Sequence, residues 1–117
     1  MDDHLRDAPA HSVEIVRAVE AAIGACGPVV VSPSTTTITF TGSRRGSAGA
    51  RPTHDGVTGH LDLTRSLVGD PRIRRAVPYT SPLVVNRYRL RSPGEIDETF
   101  GSWVHEAFRV GQGDHLR

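Results

Sequence analysis

A helix start at Ser92–Glu95 is the sequence feature that most constrains the fold of this chain. Serine, proline and glutamate at positions 92, 93 and 95 form a capping box with proline at the first helical position. Apolar residues then recur at helical spacing, with glycine as the expected C-cap: Ile96, Phe100, Trp103, Val104, Ala107 and Gly111. The C-terminal segment is therefore predicted to be an amphipathic helix that buries one face against another layer.

A second amphipathic helix is predicted near the N-terminus. Ser12 is the expected N-cap, and Gly27-Pro28 stops the pattern. The apolar stripe consists of Val13, Val16, Val19, Ile23 and Cys26. These helices frame the predicted organisation: a flexible N-terminal tail over residues 1–11, a single α+β domain over residues 12–111, and a polar C-terminal tail over residues 112–117.

Alternating apolar and polar residues predict strands between the two helices. Residues 37–41 and 83–90 alternate with a period of two, which is typical of half-buried strands. Residues 29–31 form a short apolar run that ends at a turn, and residues 64–82 are predicted to be an irregular loop.

Asp55-Gly56 predicts a hairpin, because this dipeptide favours a two-residue type I′ turn. Such a turn would pair Arg51 with His60 and Ala48 with Leu63. Ala48, Ala50, Val57, Leu61 and Leu63 would then share the face of the sheet that packs on the helices. The predicted fold class is therefore α+β: a two-layer sandwich with an antiparallel four- to five-stranded meander sheet and the N-terminal and C-terminal helices on one face.

Composition places the chain among small globular domains. The 117 residues include one cysteine, so an intrachain disulfide is impossible and a cysteine-based zinc site is not expected. The start of the sequence shows no signal peptide or transmembrane run, which predicts a cytoplasmic protein without a membrane partner. No histidine pair has helical metal-ligand spacing, so neither a metal nor a cofactor is predicted.

Positive charge is concentrated in the middle of the chain. Residues 40–92 contain ten arginines against three acids, a local net charge of +7, whereas residues 1–39 and 93–117 each carry −3. All fourteen basic residues are arginine, whose planar guanidinium fork suits carboxylate and phosphate groups. The arginines of alternating strands are expected on the sheet face away from the helices. The patch there would be extended by Arg44, Arg45, Arg72, Arg74 and Arg75.

Several of these stretches together resemble a known family. They are Cys26-Gly27-Pro28, the strand ending at Phe40 with the arginine-glycine turn after it, Ser92-Pro93 with Glu95-Ile96-Asp97, and Trp103 with Glu106-Ala107-Phe108 and Val110-Gly111. Over residues 12–112 the chain resembles the bacterial domain-of-unknown-function family 5655, in a short form common in actinobacteria. The resemblance implies a compact α+β domain and no agreed activity. The chain departs from the expected pattern at Ser47, where the family is expected to have an aromatic residue.

The arginine-rich face predicts a non-catalytic binding domain for an anionic partner, either a small anionic ligand or a nucleic acid. The candidate ligand-binding residues are Arg51, His60, Arg74, Tyr79, Arg87 and Arg89. A small enzyme that uses His60 and Asp62, which share one strand face, is an alternative, although no nucleophile motif accompanies them. A structural module that forms a homodimer is another, and a solvated sheet face without a ligand is the ordinary interpretation of such a pattern.

Overall fold

Two helices and six strands make up the described part of the chain, which in the computed structural model comprises residues 9–33, 38–41, 46–78 and 82–113. The elements in chain order are α1 (Ala10–Gly24), β1 (Val30–Pro33), β2 (Ile38–Thr41), β3 (Gly46–Pro52), β4 (Val57–Leu63), β5 (Ile73–Pro78), β6 (Val84–Leu90), a 3₁₀ turn (Pro93–Glu95) and α2 (Glu98–Gly111).

The strands form one antiparallel sheet in the order β1-β2-β3-β4-β6-β5. The predicted α+β class is confirmed, with the N-terminal and C-terminal helices packing against the sheet. The predicted meander of four or five strands is wrong in two details. The described ranges contribute six strands to the sheet, and β6 rather than β5 pairs with β4, so β5 lies at the edge.

The core lies between the helices and the inner sheet face, the face that carries Ala48, Ala50, Val57, Leu61 and Leu63. Each of these five residues is buried, as the alternation predicted. Tyr88 and Phe100 meet edge to face, with ring centroids 5.3 Å apart, and join β6 to α2. The opposite face of the sheet, called the outer face below, carries the alternate residues.

Both predicted helix starts need correction. Helix α1 begins at Ala10, and Ser12 is fully buried, where its Oγ donates to the Thr53 carbonyl at 2.6 Å. The capping box at Ser92–Glu95 forms, but it caps only the 3₁₀ turn. Helix α2 starts at Glu98 rather than at Pro93, because Asp97 acts as its N-cap and accepts from the Phe100 N–H at 2.9 Å.

The hairpin forms with a register different from the predicted one. Ala48 pairs with Leu61 and Arg51 with Thr58, so each pairing is offset by two residues. Gly56 has no positive φ, which excludes the type I′ turn, and four residues connect Pro52 to Val57. A shift of two leaves every side chain on its predicted face, because successive residues alternate between faces.

Two strands occur where turns or loops were predicted. The run after Pro28 continues through Ser32 and Pro33 as β1, which pairs with β2. The second half of the predicted 64–82 loop contains β5. Thr37, Arg44, Arg45 and Tyr79 lie outside the described residues, as do positions 1–8 and 114–117. No helix in the described ranges is long and apolar enough to cross a membrane.

Candidate functional site

Two rows of cross-strand neighbours build the polar part of the outer face. In the first row, Arg51 on β3 lies opposite Thr58 on β4, which in turn lies opposite Arg89 on β6. In the second row, Gly49 lies opposite His60, and His60 lies opposite Arg87. Paired residues share a face of the sheet, and neighbouring strands lie about 4.8 Å apart. The side chains of both rows are therefore close together on the outer face.

A depression of about 550 Å³ occupies this part of the outer face. Its lining consists of Arg51, Thr53, Asp55, Thr58, Gly59, His60, Arg74, Arg87, Tyr88 and Arg89. Thr58 contributes a small side chain at the centre of the first row, and Gly49 contributes none at the β3 end of the second row, whereas long arginines stand around them. This difference in side-chain length makes a nearly flat sheet concave.

The lining includes five of the six predicted ligand-binding residues: Arg51, His60, Arg74, Arg87 and Arg89. The sixth, Tyr79, lies outside the described residues. Asp62, which was paired with His60 as a candidate catalytic residue, lies on the same strand but does not line the depression. The register leaves Asp62 on the same face of β4 as His60, but the residue is only 5% exposed and is therefore buried.

Gly49 makes room for the His60 ring on the outer face. A Cβ at position 49 would lie 2.4 Å from His60 Cε1 and 2.8 Å from Nδ1, much closer than van der Waals contact. The imidazole therefore lies against the backbone of β3 and forms part of the wall of the depression. No larger residue could occupy position 49 without moving the ring.

Arg74 lies at a β-bulge on the edge strand. Ile73 pairs with Tyr88 and Arg75 pairs with Arg87, so Arg74 is the additional residue of β5 at this point. Strict alternation would turn Arg75 toward the helices. The bulge instead places two successive arginines of β5 beside Arg87.

The positive charge of the depression is only partly neutralised by the protein itself. Arg89 donates to Asp55 at 2.9 Å, and this hydrogen bond holds the pKa of Asp55 below its usual range. Arg51, Arg74 and Arg87 are exposed, and none of them makes an ion pair within the described ranges. Four arginines against one acid thus leave the lining with a formal charge of +3, with His60 neutral.

A smaller depression of about 240 Å³ adjoins the first and shares Arg74 and Arg89 with it. The remaining lining residues are Pro71, Arg91 and Glu95. The Glu95 carboxylate accepts from the backbone N–H groups of Arg91 at 2.6 Å and Ser92 at 3.1 Å. It is thereby held in place at the turn that leads into α2.

Arg72, which was expected to extend the patch, is engaged elsewhere. Its guanidinium donates to Asp70, to Asp97 and to the Glu95 carbonyl, and its centre lies 4.7 Å from the Trp103 ring centroid. The hydrogen bonds with Asp70 and then with Asp97 raise the pKa of Arg72. This arginine is therefore a structural link between the 64–72 segment and α2.

The structure also shows site residues that the sequence prediction missed. Thr53, Asp55 and Thr58 line the first depression, and Glu95 lines the second. Thr58 is two residues before His60 on β4, so alternation alone would have placed it on the same face. Asp55 reaches Arg89 only through the tertiary pairing of β4 with β6, for which the local sequence gives no signal.

No group of three histidine, cysteine, aspartate or glutamate side chains in the described ranges could hold a metal ion. Cys26 is partly buried, its thiol donates to the Ala22 carbonyl at 3.5 Å, and burial raises its pKa. The depressions on the outer face are consequently the features on which a functional interpretation depends.

Comparisons with known proteins give a family without an activity. A search of the curated proteins and a search of the solved structures find no match. A family model, described as a domain of unknown function (DUF5655), matches residues 1–111. The match covers nearly the whole chain, and the protein therefore belongs to the DUF5655 family.

Proposed function

We propose that the protein is a non-catalytic binding domain that takes a small phosphorylated or carboxylated molecule in the outer-face depression. The main support is the cluster of Arg51, Arg74 and Arg87, three exposed guanidinium groups without acidic partners in the described ranges, around one concave surface. Arginine forks bind carboxylate and phosphate with paired, charge-assisted hydrogen bonds. Thr58 adds a hydroxyl between them.

The size of the depression favours a small molecule. Ligand pockets for small molecules span about 300–1,000 Å³, and the larger depression has about 550 Å³. Fixed walls also support this interpretation: the ion pair with Asp55 holds Arg89, and Gly49 seats His60. Side chains held before binding lose less entropy when the ligand arrives.

Nucleic acid is the less favoured anionic partner. Single strands are usually bound by aromatic side chains that stack on bases. The described aromatic residues belong to the core or pack against it: Phe40, Tyr88, Phe100, Trp103 and Phe108. A fluorescence-anisotropy titration with labelled DNA and RNA at low and near-physiological salt separates the two partners.

The test of the proposal is a thermal-shift screen of phosphorylated and carboxylated metabolites, followed by calorimetric titration of the hits. A ligand at about 100 times its Kd stabilises the folded state by about 2.7 kcal/mol, which for a domain of this size raises Tm by roughly 10 °C. The double variant Arg51→Gln, Arg87→Gln removes two charged walls and is expected to abolish the shift.

The matched control is Arg17→Gln. Arg17 is an exposed arginine on α1, where it pairs with Glu20 at 3.5 Å, so this variant also loses a positive charge but leaves the depression intact. It is expected to retain the thermal shift. The proposal fails if no anion stabilises the wild type, or if Arg17→Gln weakens binding as much as the double variant does.

Two further proposals concern the setting of the protein. The absence of lysine among fourteen basic residues fits a GC-rich genome, which supports a bacterial and specifically actinobacterial source. The other is a cytoplasmic location, which fits a chain with one cysteine and hence no intrachain disulfide. A cytoplasmic site would give the depression access to phosphorylated metabolites.

A further inference from the structure

We propose that the ligand carries two phosphate groups separated by a short carbon skeleton, with one group in each of the two adjoining depressions. This inference rests on the proposed function and specifies its ligand. The larger depression would hold one phosphate against Arg51 and Arg87, and the smaller one would hold the other against Arg91. Arg74 and Arg89 line both depressions and would contact both groups.

The arrangement of arginines on β6 is the first argument. Arg87 and Arg89 are two residues apart on the strand, and Arg91 directly follows its end. Residues two apart in a strand are separated by roughly 7 Å. The series thus offers guanidinium groups along a line, with β5 supplying Arg74 beside it, whereas a single phosphate could engage only one part of that line.

The charge balance is the second argument. The two depressions together contain five arginines, Arg51, Arg74, Arg87, Arg89 and Arg91, against Asp55 and Glu95, which leaves a formal charge of +3. Both acids already accept hydrogen bonds from the protein: Asp55 from Arg89, and Glu95 from two backbone N–H groups. A phosphate monoester carries about −1.5 to −2 charges at pH 7. Two such groups supply about −3 to −4 and can neutralise the remaining charge fully, whereas one group leaves at least about one positive charge unbalanced.

The spacing also selects among compounds with two phosphates. The two phosphorus atoms of pyrophosphate share one bridging oxygen, so they are too close together to reach Arg51 and Arg91 at once. A sugar bisphosphate has several bonds between its phosphate groups. The volume of about 550 Å³ in the larger depression leaves room for the carbon skeleton.

The test compares three probes by calorimetric titration: fructose 1,6-bisphosphate, fructose 6-phosphate and sodium pyrophosphate. The bisphosphate is expected to bind the wild type at least about tenfold more tightly than either other probe, because the second group binds in an intramolecular step. Arg91→Gln is expected to remove this advantage and to leave the Kd for fructose 6-phosphate within about twofold. Arg51→Gln should weaken the binding of both sugar phosphates.

Equal affinity for the mono- and bisphosphate, or an equal loss for both with Arg91→Gln, would overturn the two-phosphate inference but leave anion binding in place. If no probe binds and no metabolite of the thermal-shift screen stabilises the wild type, the proposed function fails as well. Tighter binding of a twelve-nucleotide DNA single strand than of the bisphosphate would overturn the inference in favour of a surface for a nucleic-acid backbone. Circular dichroism of each variant verifies that the fold is retained.

Discussion

Gly59 lies directly beneath the Tyr88 ring, and this contact yields the clearest prediction for a single residue. A Cβ at position 59 would lie 2.1 Å from the Gly49 carbonyl oxygen and 2.4 Å from the Tyr88 hydroxyl. That hydroxyl donates to the same carbonyl at 2.8 Å. Gly59→Ala is expected to destabilise the protein by about 2–3 kcal/mol, because backbone and a buried ring must move. Urea unfolding monitored by circular dichroism measures the change.

Gly101→Ala is the matched control for this substitution. Gly101 lies inside α2, and a Cβ there would meet nothing within 4 Å. Alanine loses less backbone entropy than glycine in a helix, so this variant is expected to stabilise the protein by roughly 0.5–1 kcal/mol. Destabilisation of similar size in both variants would contradict the packing argument at Gly59.

Individual site residues could be predicted from the sequence to the extent that strand alternation determines them. Arg51, Arg87 and Arg89 follow from their parity in alternating segments. Arg74 was assigned to a loop, and its place beside Arg87 follows only from the pairing of β5 with β6. Arg72 has the same local character as Arg74, yet it binds two carboxylates on the helix side.

At the scale of elements, Arg72 ties the 64–72 segment to the start of α2 and makes the link sensitive to acid. Its hydrogen bond lowers the pKa of Asp70 below the ordinary 3.8. The pKa of Asp97 is lowered first by the Phe100 N–H and then by Arg72. Carboxylates with depressed folded-state pKa values stabilise the fold above the ordinary pKa and lose that contribution as the pH falls through the depressed one.

Arg72→Met is therefore expected to make the free energy of unfolding less dependent on pH under acidic conditions. The free energy of unfolding of the wild type should fall between about pH 5 and pH 2, and in the variant it should fall less. Methionine keeps an unbranched side chain against Trp103, so the substitution mainly removes the charge. Denaturant titrations across this pH range provide the measurement.

Arg75→Met controls for the loss of one positive charge. Arg75 is exposed and has no ion pair in the described ranges. The free energy of unfolding of this variant should therefore fall with acid as much as that of the wild type. If the free energy of unfolding of Arg72→Met also falls with pH as it does in the wild type, the coupling between Arg72 and the two aspartates is absent in solution.

The elements themselves were predicted best where their pattern is long and regular. Strand β6 and the apolar stripe of α2 are confirmed. The alternation of β6 extends over seven residues, and the stripe of α2 extends over several helical turns. Strand β5 was missed because two prolines bound it and a bulge interrupts its alternation. The hairpin register depends on tertiary packing: a Cβ at Gly56 would lie 2.0 Å from the Leu90 carbonyl oxygen, so this glycine serves close packing rather than a type I′ turn.

At the scale of the whole molecule, the sheet separates charge between its two faces. Arginines of β3, β5 and β6 gather on the outer face, and the helix layer carries acids such as Glu14, Glu98 and Glu106. Arg65 and Arg72 are exceptions, because they form ion pairs with Glu106 of α2 and with its N-cap Asp97. Anion binding should consequently weaken as salt rises, since exposed charges are screened over about 8–10 Å at physiological ionic strength.

Asp55 allows the effect of a charge at the site on anion binding to be separated from the effect of the net charge of the protein. Asp55→Asn removes the one carboxylate that lines the larger depression and frees Arg89 from its ion pair. Glu106 lies on α2, forms an ion pair with Arg65 and lines neither depression, so Glu106→Gln removes an equal charge away from the site. Both variants have the same net charge, so any difference in anion affinity must come from position.

We expect Asp55→Asn to tighten the binding of fructose 1,6-bisphosphate by roughly threefold to tenfold, as removal of a nearby repulsive charge at partial exposure implies. Glu106→Gln should change the Kd by less than about twofold, because salt screens its distant charge. Calorimetric titration at two salt concentrations measures both effects, and the gain from Asp55→Asn should shrink as salt rises. Equal gains in the two variants would mean that net charge alone attracts anions. Weaker binding by Asp55→Asn would mean that the ion pair positions Arg89 for the ligand.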